Sequence, residues 1–152
     1  MYMLRVDRLG TDETGQKGFH MEKKQLKAFY LDPITGVAEE RTIADDLHTF
    51  YDMLGCRCID IQARKVGKRV YDFIIDDEGL FSEDLRYTAV TNGCSLQFVG
   101  ALLVVGTSDD EGNLTSLEDS DIENLKRHTQ TLPYYNEHGR RENPIIVGVE
   151  FC

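Results

Sequence analysis

The longest apolar segment of the chain is residues 92–106, which reads NGCSLQFVGALLVVG. It begins with the turn-forming pair Asn92-Gly93 and ends at Gly106, just before a polar segment. A continuous run rich in valine and leucine and bounded by glycine is typical of a strand that is buried on both faces. It is too short and too rich in glycine to span a membrane. We therefore predict that it is the central strand of a sheet.

Turn residues predict two hairpins before this strand. Pro33 and Gly36 are the turn residues between strand candidates 26–31 and 37–43, because proline presets φ and glycine permits the closing position. Alternating apolar and polar residues on both sides of Gly67 predict a second hairpin from residues 56–64 and 69–75.

Two amphipathic segments predict helices. Residues 45–54 place Leu47, Phe50 and Leu54 on one face, and Gly55 is the expected stop. Residues 116–129 begin with a Ser116–Asp119 capping box and end with basic residues.

The remaining segments complete the predicted fold. Residues 80–91 are expected to be a loop or short helix, 136–143 a loop, and 144–152 a single final strand. Together these elements predict an α+β fold, a mixed and mostly antiparallel sheet of six or seven strands with two helices on one face. Residues 26–152 are predicted to form one domain, and residues 1–25 an N-terminal extension with a short strand and a mobile glycine-containing loop.

Composition narrows the functional classes. The chain has 152 residues, 17 basic and 27 acidic, for a formal net charge of −10. This charge disfavours direct binding to nucleic acids or anionic membranes, and it favours solubility or a basic protein partner. The first twenty residues do not look like a signal peptide, so we expect a cytoplasmic protein whose four cysteines are reduced.

The order of these features resembles a known family. An acidic helix ending in Gly55 is followed by a hairpin ending in Asp77-Glu78-Gly79 and by a short polar link. The segments FVGALLVVG (98–106) and LTSLEDSDI (114–122) come next. This order resembles a family of small domains of unknown function that is common in phages and mobile elements of gut and other Gram-positive bacteria. The resemblance covers residues 26–126 and implies a small accessory protein that acts by binding, either to a host defence protein or to its signal.

Cationic and aromatic residues gather in two places that suit an anionic, nucleotide-like ligand. One group is on the second hairpin, and the other is in the polar link beside the apolar strand, where binding residues are common. We predict the ligand-binding residues Arg64, Arg69, Tyr71, Arg86, Tyr87 and Asn92.

The sequence also contains residue types that are found in metal sites and in catalytic sites. Cys56 and Cys58, with Cys94 and a histidine, have the residue types of a zinc site, although packing of buried thiols explains them better. Cys94 with His48 or His128 has the residue types of a nucleophile and base. The paired carboxylates 45–46, 76–77 and 109–110 read as turn and cap chemistry. The pair His48 and Asp52 reads as an exposed surface pair.

We therefore expect a non-enzymatic protein without cofactor or metal. Its predicted function is to counter host defence by sequestering a nucleotide-derived immune signal or by blocking a defence protein. The alternative is an acidic nucleic-acid mimic that inhibits a host nuclease or restriction or CRISPR enzyme, based on the acids of segments 76–78, 83–84, 109–111 and 118–123. A homo-oligomer is expected through an edge of the 26–43 hairpin or the final strand.

Overall fold

The computed structural model describes residues 24–79, 86–136 and 139–152. The predicted N-terminal extension lies outside these ranges except for Lys24 and Gln25, and Gln25 already begins the first strand. The described residues form ten strands and two helices: β1 Gln25–Asp32, β2 Val37–Ala44, α1 Leu47–Leu54, β3 Ile59–Val66, β4 Arg69–Asp76, β5 Tyr87–Val90, β6 Leu96–Val99, β7 Leu102–Gly106, α2 Asp119–Arg127, β8 Thr129–Asn136, β9 Gly139–Val147 and β10 Val149–Phe151. Neither helix is long and apolar enough to cross a membrane.

The strands form two sheets. The larger has the order β10-β3-β4-β7-β1-β2 and is antiparallel throughout. The smaller has the order β6-β5-β9-β8, and its β5–β9 pair is parallel. The predicted α+β fold with a mixed, mostly antiparallel arrangement is confirmed, and both predicted hairpins are present as β1–β2 and β3–β4. The division into two sheets was not predicted.

Strand β7 confirms the predicted central strand but accounts for only part of the apolar run. It lies between β4 and β1, and its residues 102–105 are all buried. The first half of the run is β6, which belongs to the smaller sheet. Gly100 separates the two strands with φ of +85°, a conformation that glycine adopts without a steric penalty. The predicted single strand is therefore two strands in different sheets.

The helices lie on opposite faces of the larger sheet, which corrects the expectation that they share one. Phe50 and Leu54 of α1 pack with Leu103 on what we call the α1 face. Ile122 and Leu125 of α2 pack with Val104 and with residues of the smaller sheet on the α2 face. Because successive side chains of a strand point to opposite faces, an entirely apolar β7 needs cover on both sides.

The first helix ends at Gly55 as predicted, and Asp46 caps its beginning. Asp46 accepts a hydrogen bond from the His48 backbone N–H at 2.9 Å, and Gly55 ends α1 in the left-handed region with φ of 63°.

The second helix is shorter than predicted and has a different cap. Asp121 accepts a hydrogen bond from the Glu118 backbone N–H at 2.9 Å, in the manner of a capping box. The predicted cap at Ser116 is wrong, because the Ser116 hydroxyl instead accepts the Lys27 backbone N–H at 3.0 Å and fastens the loop to β1.

The C-terminal third differs most from the prediction. The expected loop at 136–143 is mostly strand, because β8 and β9 pair along their whole length as a long hairpin. The predicted final strand is divided at Gly148, which has φ of +73° and leads from β9 in the smaller sheet to β10 in the larger. In the polar link, residues 86–91 contain the strand β5 rather than a loop or helix, and residues 80–85 lie outside the described ranges.

Candidate functional site

The β3–β4 hairpin brings three of the predicted site residues to one face. Arg64 lies directly opposite Tyr71, and Val66 lies opposite Arg69. Since residues 64 and 66 and residues 69 and 71 are two apart along their strands, all four side chains point to the α2 face. The sequence predicted only that Arg64, Arg69 and Tyr71 share one hairpin, and the pleat places them on the same side of the sheet.

Tyr71 is part of the core and not of a ligand-accessible surface. Its side chain is 1% exposed and lies beneath α2. Its hydroxyl donates to Asp121 Oδ1 at 3.0 Å and accepts from Asn124 Nδ2 at 3.0 Å. Burial raises the pKa of Tyr71, as does the Asp121 carboxylate, while the hydrogen bond from Asn124 lowers it. The role of Tyr71 is to tie the sheet to the helix.

Arg69 covers the outer side of this buried network. Its guanidinium lies 3.5 Å from Asp121 Oδ1, and the Asp121 side chain is only 4% exposed. A buried carboxylate needs such partners because desolvation of an unpaired charge is costly. Arg69 thus neutralises Asp121 while about half of its own side chain stays in contact with solvent.

Two further cations lie at the contact between the β3–β4 turn and the end of α2, and neither pairs with an acid among residues 24–79, 86–136 and 139–152. Lys68 is exposed in the two-residue turn between β3 and β4, and Arg127 is exposed in the last turn of α2. The Arg127 guanidinium donates to Asn124 Oδ1 at 3.2 Å. That oxygen lies 2.9 Å from the point where a Cβ of Gly67 would be, so the turn and the helix end are in contact. Within the described ranges, neither Lys68 nor Arg127 forms an ion pair with a carboxylate.

His128 adds a polar group of fixed orientation to the same place. Its Nδ1 lies 2.8 Å from the Asn124 carbonyl oxygen. A carbonyl can only accept, so Nδ1 carries the proton and Nε2 is the acceptor in the neutral ring. The ring lies between two glycines: Cε1 is 3.4 Å from the Cβ position of Gly67, and Cδ2 is 3.5 Å from that of Gly148. No hydrogen bond to Nε2 is formed by any residue that the structure describes.

Asn92, which the sequence grouped with the polar link, also lies at this place. Its Oδ1 lies 3.2 Å from the Cβ position of Gly148, on the side that His128 also contacts. Its backbone N–H donates to the Glu150 carboxylate. We call Lys68, Arg69, Asn92, Arg127 and His128 the basic end. Gly67 and Gly148 permit this close approach, because a Cβ at either position would lie within 3.5 Å of a neighbouring side chain.

Arg86 and Tyr87 are not part of the basic end. An Arg86 Nη1 donates to the Pro33 carbonyl oxygen at 3.3 Å, so it lies at the β1–β2 turn. Along the central strands, Leu31 and Ile75 both lie opposite Leu102, while Tyr71 lies opposite Gly106. The turn after β1 and the start of β4 are therefore at opposite ends of the larger sheet. Of the predicted polar-link group, Arg86 therefore lies away from the basic end, whereas Asn92 lies within it.

Arg64 lies in an aromatic stack at the edge of the larger sheet. Its guanidinium carbon is 5.1 Å from the centroid of the Phe98 ring and 4.4 Å from that of Phe151, and its Nε donates to Gln97 Oε1 at 2.8 Å. Gln97 Nε2 donates in turn to the Val149 carbonyl oxygen at 2.8 Å. Desolvation lowers the pKa of Arg64. Sequence reasoning missed Phe98 and Phe151, because only the pairing of β10 with β3 brings Phe151 opposite Arg64.

The residue types considered for a metal site are not brought together within the described ranges. Cys56 and Cys58 precede β3, so the predicted strand 56–64 begins only at Ile59. Among the described residues, no three His, Cys, Asp or Glu side chains are close enough to hold a metal ion. His48 and Asp52 form the expected exposed pair, with Nε2 and Oδ2 3.4 Å apart.

The paired carboxylates act in turns and caps, as predicted. Asp76 accepts the Glu78 backbone N–H, and Asp109 accepts the N–H groups of Glu111 and Asn113, each at 2.9 Å. These hydrogen bonds lower the pKa of Asp109. Segments 76–78 and 109–111 follow strands β4 and β7, which are antiparallel, so the two acidic groups lie at opposite ends of the larger sheet.

No curated protein and no solved structure matches this chain. Residues 26–130 match the family described as Domain of unknown function (DUF3846), and this segment is more than half of the 152-residue chain. It includes β1 to β7 and α2, and therefore Lys68, Arg69, Asn92, Arg127 and His128. The chain belongs to the family Domain of unknown function (DUF3846), which confirms the expectation of an uncharacterised domain.

Proposed function

We propose that this protein binds a small phosphate-bearing, nucleotide-like ligand at the basic end, without chemical turnover. The observation that carries the proposal is the placement of Lys68 and Arg127 beside His128 in a chain of net charge −10, two exposed cations that pair with no acid in the part of the chain that the structure describes. Acids outnumber bases across this chain, so exposed cations that find no carboxylate among the described residues favour an external anion as their partner.

The chemistry of the five side chains suits a phosphate group. Arginine offers paired N–H donors that match phosphate oxygens, and lysine adds a mobile point charge. Asn92 supplies an amide, and His128 supplies an acceptor when neutral and a second donor when protonated. Lys68 and Arg127 remain exposed in the free protein, so a ligand gains their charge without a large desolvation cost.

The biological role proposed for such binding is counter-defence by sequestration of a nucleotide-derived immune signal. It rests on the resemblance to domains of phages and mobile elements together with the basic end described above. A protein that removes a signal needs affinity and no catalytic group. The second way to counter host defence is to bind and block a host defence protein.

The acidic-mimic alternative has weaker support. Mimicry of a nucleic acid requires regularly placed acids on one continuous surface. The acidic segments 76–78 and 109–111 lie at opposite ends of the larger sheet. Because these two acidic segments are far apart on the larger sheet, ligand binding is favoured over mimicry of a nucleic acid.

Native mass spectrometry tests the proposal on protein purified gently from a bacterial host under phage attack. We expect an added mass of nucleotide size that is lost on denaturation. A double variant, Lys68→Gln with Arg127→Gln, is expected to lose it. The control Lys65→Gln is exposed on the same hairpin but lies opposite Val70 on the other face, and it should keep the added mass.

The same spectrum separates the alternatives. An added mass as large as a whole protein would replace the small ligand with a protein target. A nucleotide-sized mass that survives in the double variant would show that the basic end is not the site. Multiples of the chain mass would establish a homo-oligomer, for which β2 and β10 are the outer strands of the larger sheet.

A further inference from the structure

Phe151 is an exposed aromatic ring whose position is fixed by the protein. It is 63% exposed, yet its ring lies 4.4 Å from the guanidinium carbon of Arg64. Arg64 is itself held by Gln97 and by the Ala63 carbonyl oxygen, which it contacts at 2.8 Å in each case. One face of the ring is therefore occupied by a planar cation, and the exposure of the ring leaves area open to solvent.

The stack continues inward and includes an unusual backbone conformation. Phe98 lies on the inner side of Arg64, and its ring centroid is 5.5 Å from that of Phe73 in the core. Phe98 has φ of 52°, in the left-handed region that a bulky residue rarely adopts. Backbone strain of this kind costs on the order of 1–3 kcal/mol and is concentrated at functional sites. The order Phe73, Phe98, Arg64, Phe151 is a layered stack that ends at the surface.

The stack and the basic end are neighbours along β10. In the β10–β3 ladder, Phe151 pairs with Arg64 and Val149 pairs with Val66. The residues just before Val149 and just after Val66 are Gly148 and Gly67, and both lie close to the His128 ring. Phe151 is three positions beyond Gly148, or about 10 Å along an extended strand. This separation is comparable to the span of a mononucleotide from its base to its 5′-phosphate.

We propose that Phe151 is a stacking platform for the base of a nucleotide whose phosphate is bound at the basic end. This inference rests on the proposed function and specifies its ligand as one with a planar aromatic ring. Aromatic stacking accepts any base, because every base has a π-face. Arg64 acts as a positioning residue that holds the Phe151 ring, and Phe151 discriminates nucleotides from simple sugar phosphates.

A single tryptophan makes the proposal measurable. The chain contains no tryptophan, so Phe151→Trp introduces one fluorophore at the platform. Titration of this variant with adenosine 5′-monophosphate should quench its fluorescence, whereas ribose 5-phosphate should leave it nearly unchanged. In the wild-type protein, titration calorimetry should give an affinity for adenosine 5′-monophosphate that is about tenfold or more above the affinity for ribose 5-phosphate.

A second variant completes the test. Phe151→Leu should weaken binding of adenosine 5′-monophosphate about tenfold and leave that of ribose 5-phosphate unchanged. Tyr135→Leu, at an exposed aromatic residue on β8, is the control and should change neither affinity. Equal binding of both compounds, unaffected by Phe151→Leu, would overturn the stacking proposal and leave phosphate binding intact. Failure of both compounds and of inorganic pyrophosphate to bind the wild-type protein would overturn the proposed function and this inference together.

Discussion

The hydroxyl of Tyr71 on β4 lies 3.0 Å from Oδ1 of Asp121 on α2, and this buried hydrogen bond joins the larger sheet to the helix beside the basic end. Asp121 also accepts the Glu118 backbone N–H and pairs with Arg69. One carboxylate therefore caps α2, holds the helix on the sheet and positions Arg69.

Loss of this carboxylate should be strongly destabilising. We expect Asp121→Ala to lower the free energy of unfolding by about 3 kcal/mol, because it leaves Tyr71 and the Glu118 N–H without their acceptor and Arg69 without its partner. Urea denaturation measures the change. The control is Asp119→Ala on the same helix, where the side chain is 90% exposed and pairs with Lys27. That substitution should destabilise the protein much less, because exposed ion pairs contribute little to stability, and equal losses would contradict the account.

Glycine at position 148 should be required for two separable reasons. Gly148→Ala places a Cβ 3.2 Å from Asn92 Oδ1 and forces alanine to adopt φ of +73°. Gly112→Ala shares the second problem, with φ of +83°, but meets no atom within 4 Å. We expect each substitution to lower the free energy of unfolding by about 1 kcal/mol because of the backbone conformation. Only Gly148→Ala should lower it further, because of the contact with Asn92. Equal melting temperatures for the two variants would contradict the close contact between position 148 and Asn92.

The predictable part of the fold was the part set by local chemistry. The β1–β2 and β3–β4 hairpins follow from Pro33, Gly36 and Gly67, and α1 follows from its apolar spacing and Gly55. Local signals do not show which sheet a strand joins. The apolar run and the last strand were each predicted as one element, although Gly100 and Gly148 transfer the chain between sheets.

The candidate site was predictable to a similar degree. A two-residue alternation places Arg64, Arg69 and Tyr71 on one face of a hairpin. The sequence could not show that α2 buries Tyr71, since that depends on long-range packing. Lys68 and Arg127 were not predicted as site residues, because 59 positions separate them in the sequence. Only the contact of α2 with the β3–β4 turn brings them together.

Tyr30 should make stability depend on pH in the alkaline range. Burial, followed by the charge of Asp32, raises the pKa of Tyr30 to about 12. The pKa is about 10 in an unfolded chain, so the folded protein holds this proton more tightly. The stabilisation is complete below pH 10 and is lost as the pH rises toward 12. Tyr30→Phe should remove this loss, about 2 kcal/mol between pH 10 and 12, in urea denaturation at several pH values. Parallel pH profiles for the two proteins would refute it.

The four thiols should differ in reactivity. Burial, and next the charge of Asp76, raises the pKa of Cys56 to about 11, whereas Cys58, Cys94 and Cys152 are exposed. Only the thiolate is nucleophilic, so Cys56 should react slowly at pH 8. Intact-mass analysis with iodoacetamide should show three rapid additions and a slow fourth. The control is the urea-unfolded protein, in which all four should react at similar rates. Four equally fast additions to the folded protein would contradict this placement of Cys56.

The most direct measurement for the central claim is an NMR titration of ¹⁵N-labelled protein with inorganic pyrophosphate. The account predicts saturable shifts of the backbone amides of Gly67, Lys68, His128 and Gly148, which surround the basic end, with little change at Arg86 beside the β1–β2 turn at the far end of the larger sheet. The shifts should disappear in the Lys68→Gln/Arg127→Gln variant and persist in Lys65→Gln. Shifts confined to the region of Arg86 and Tyr87, or no saturable shift at any amide, would contradict an anion site at the basic end.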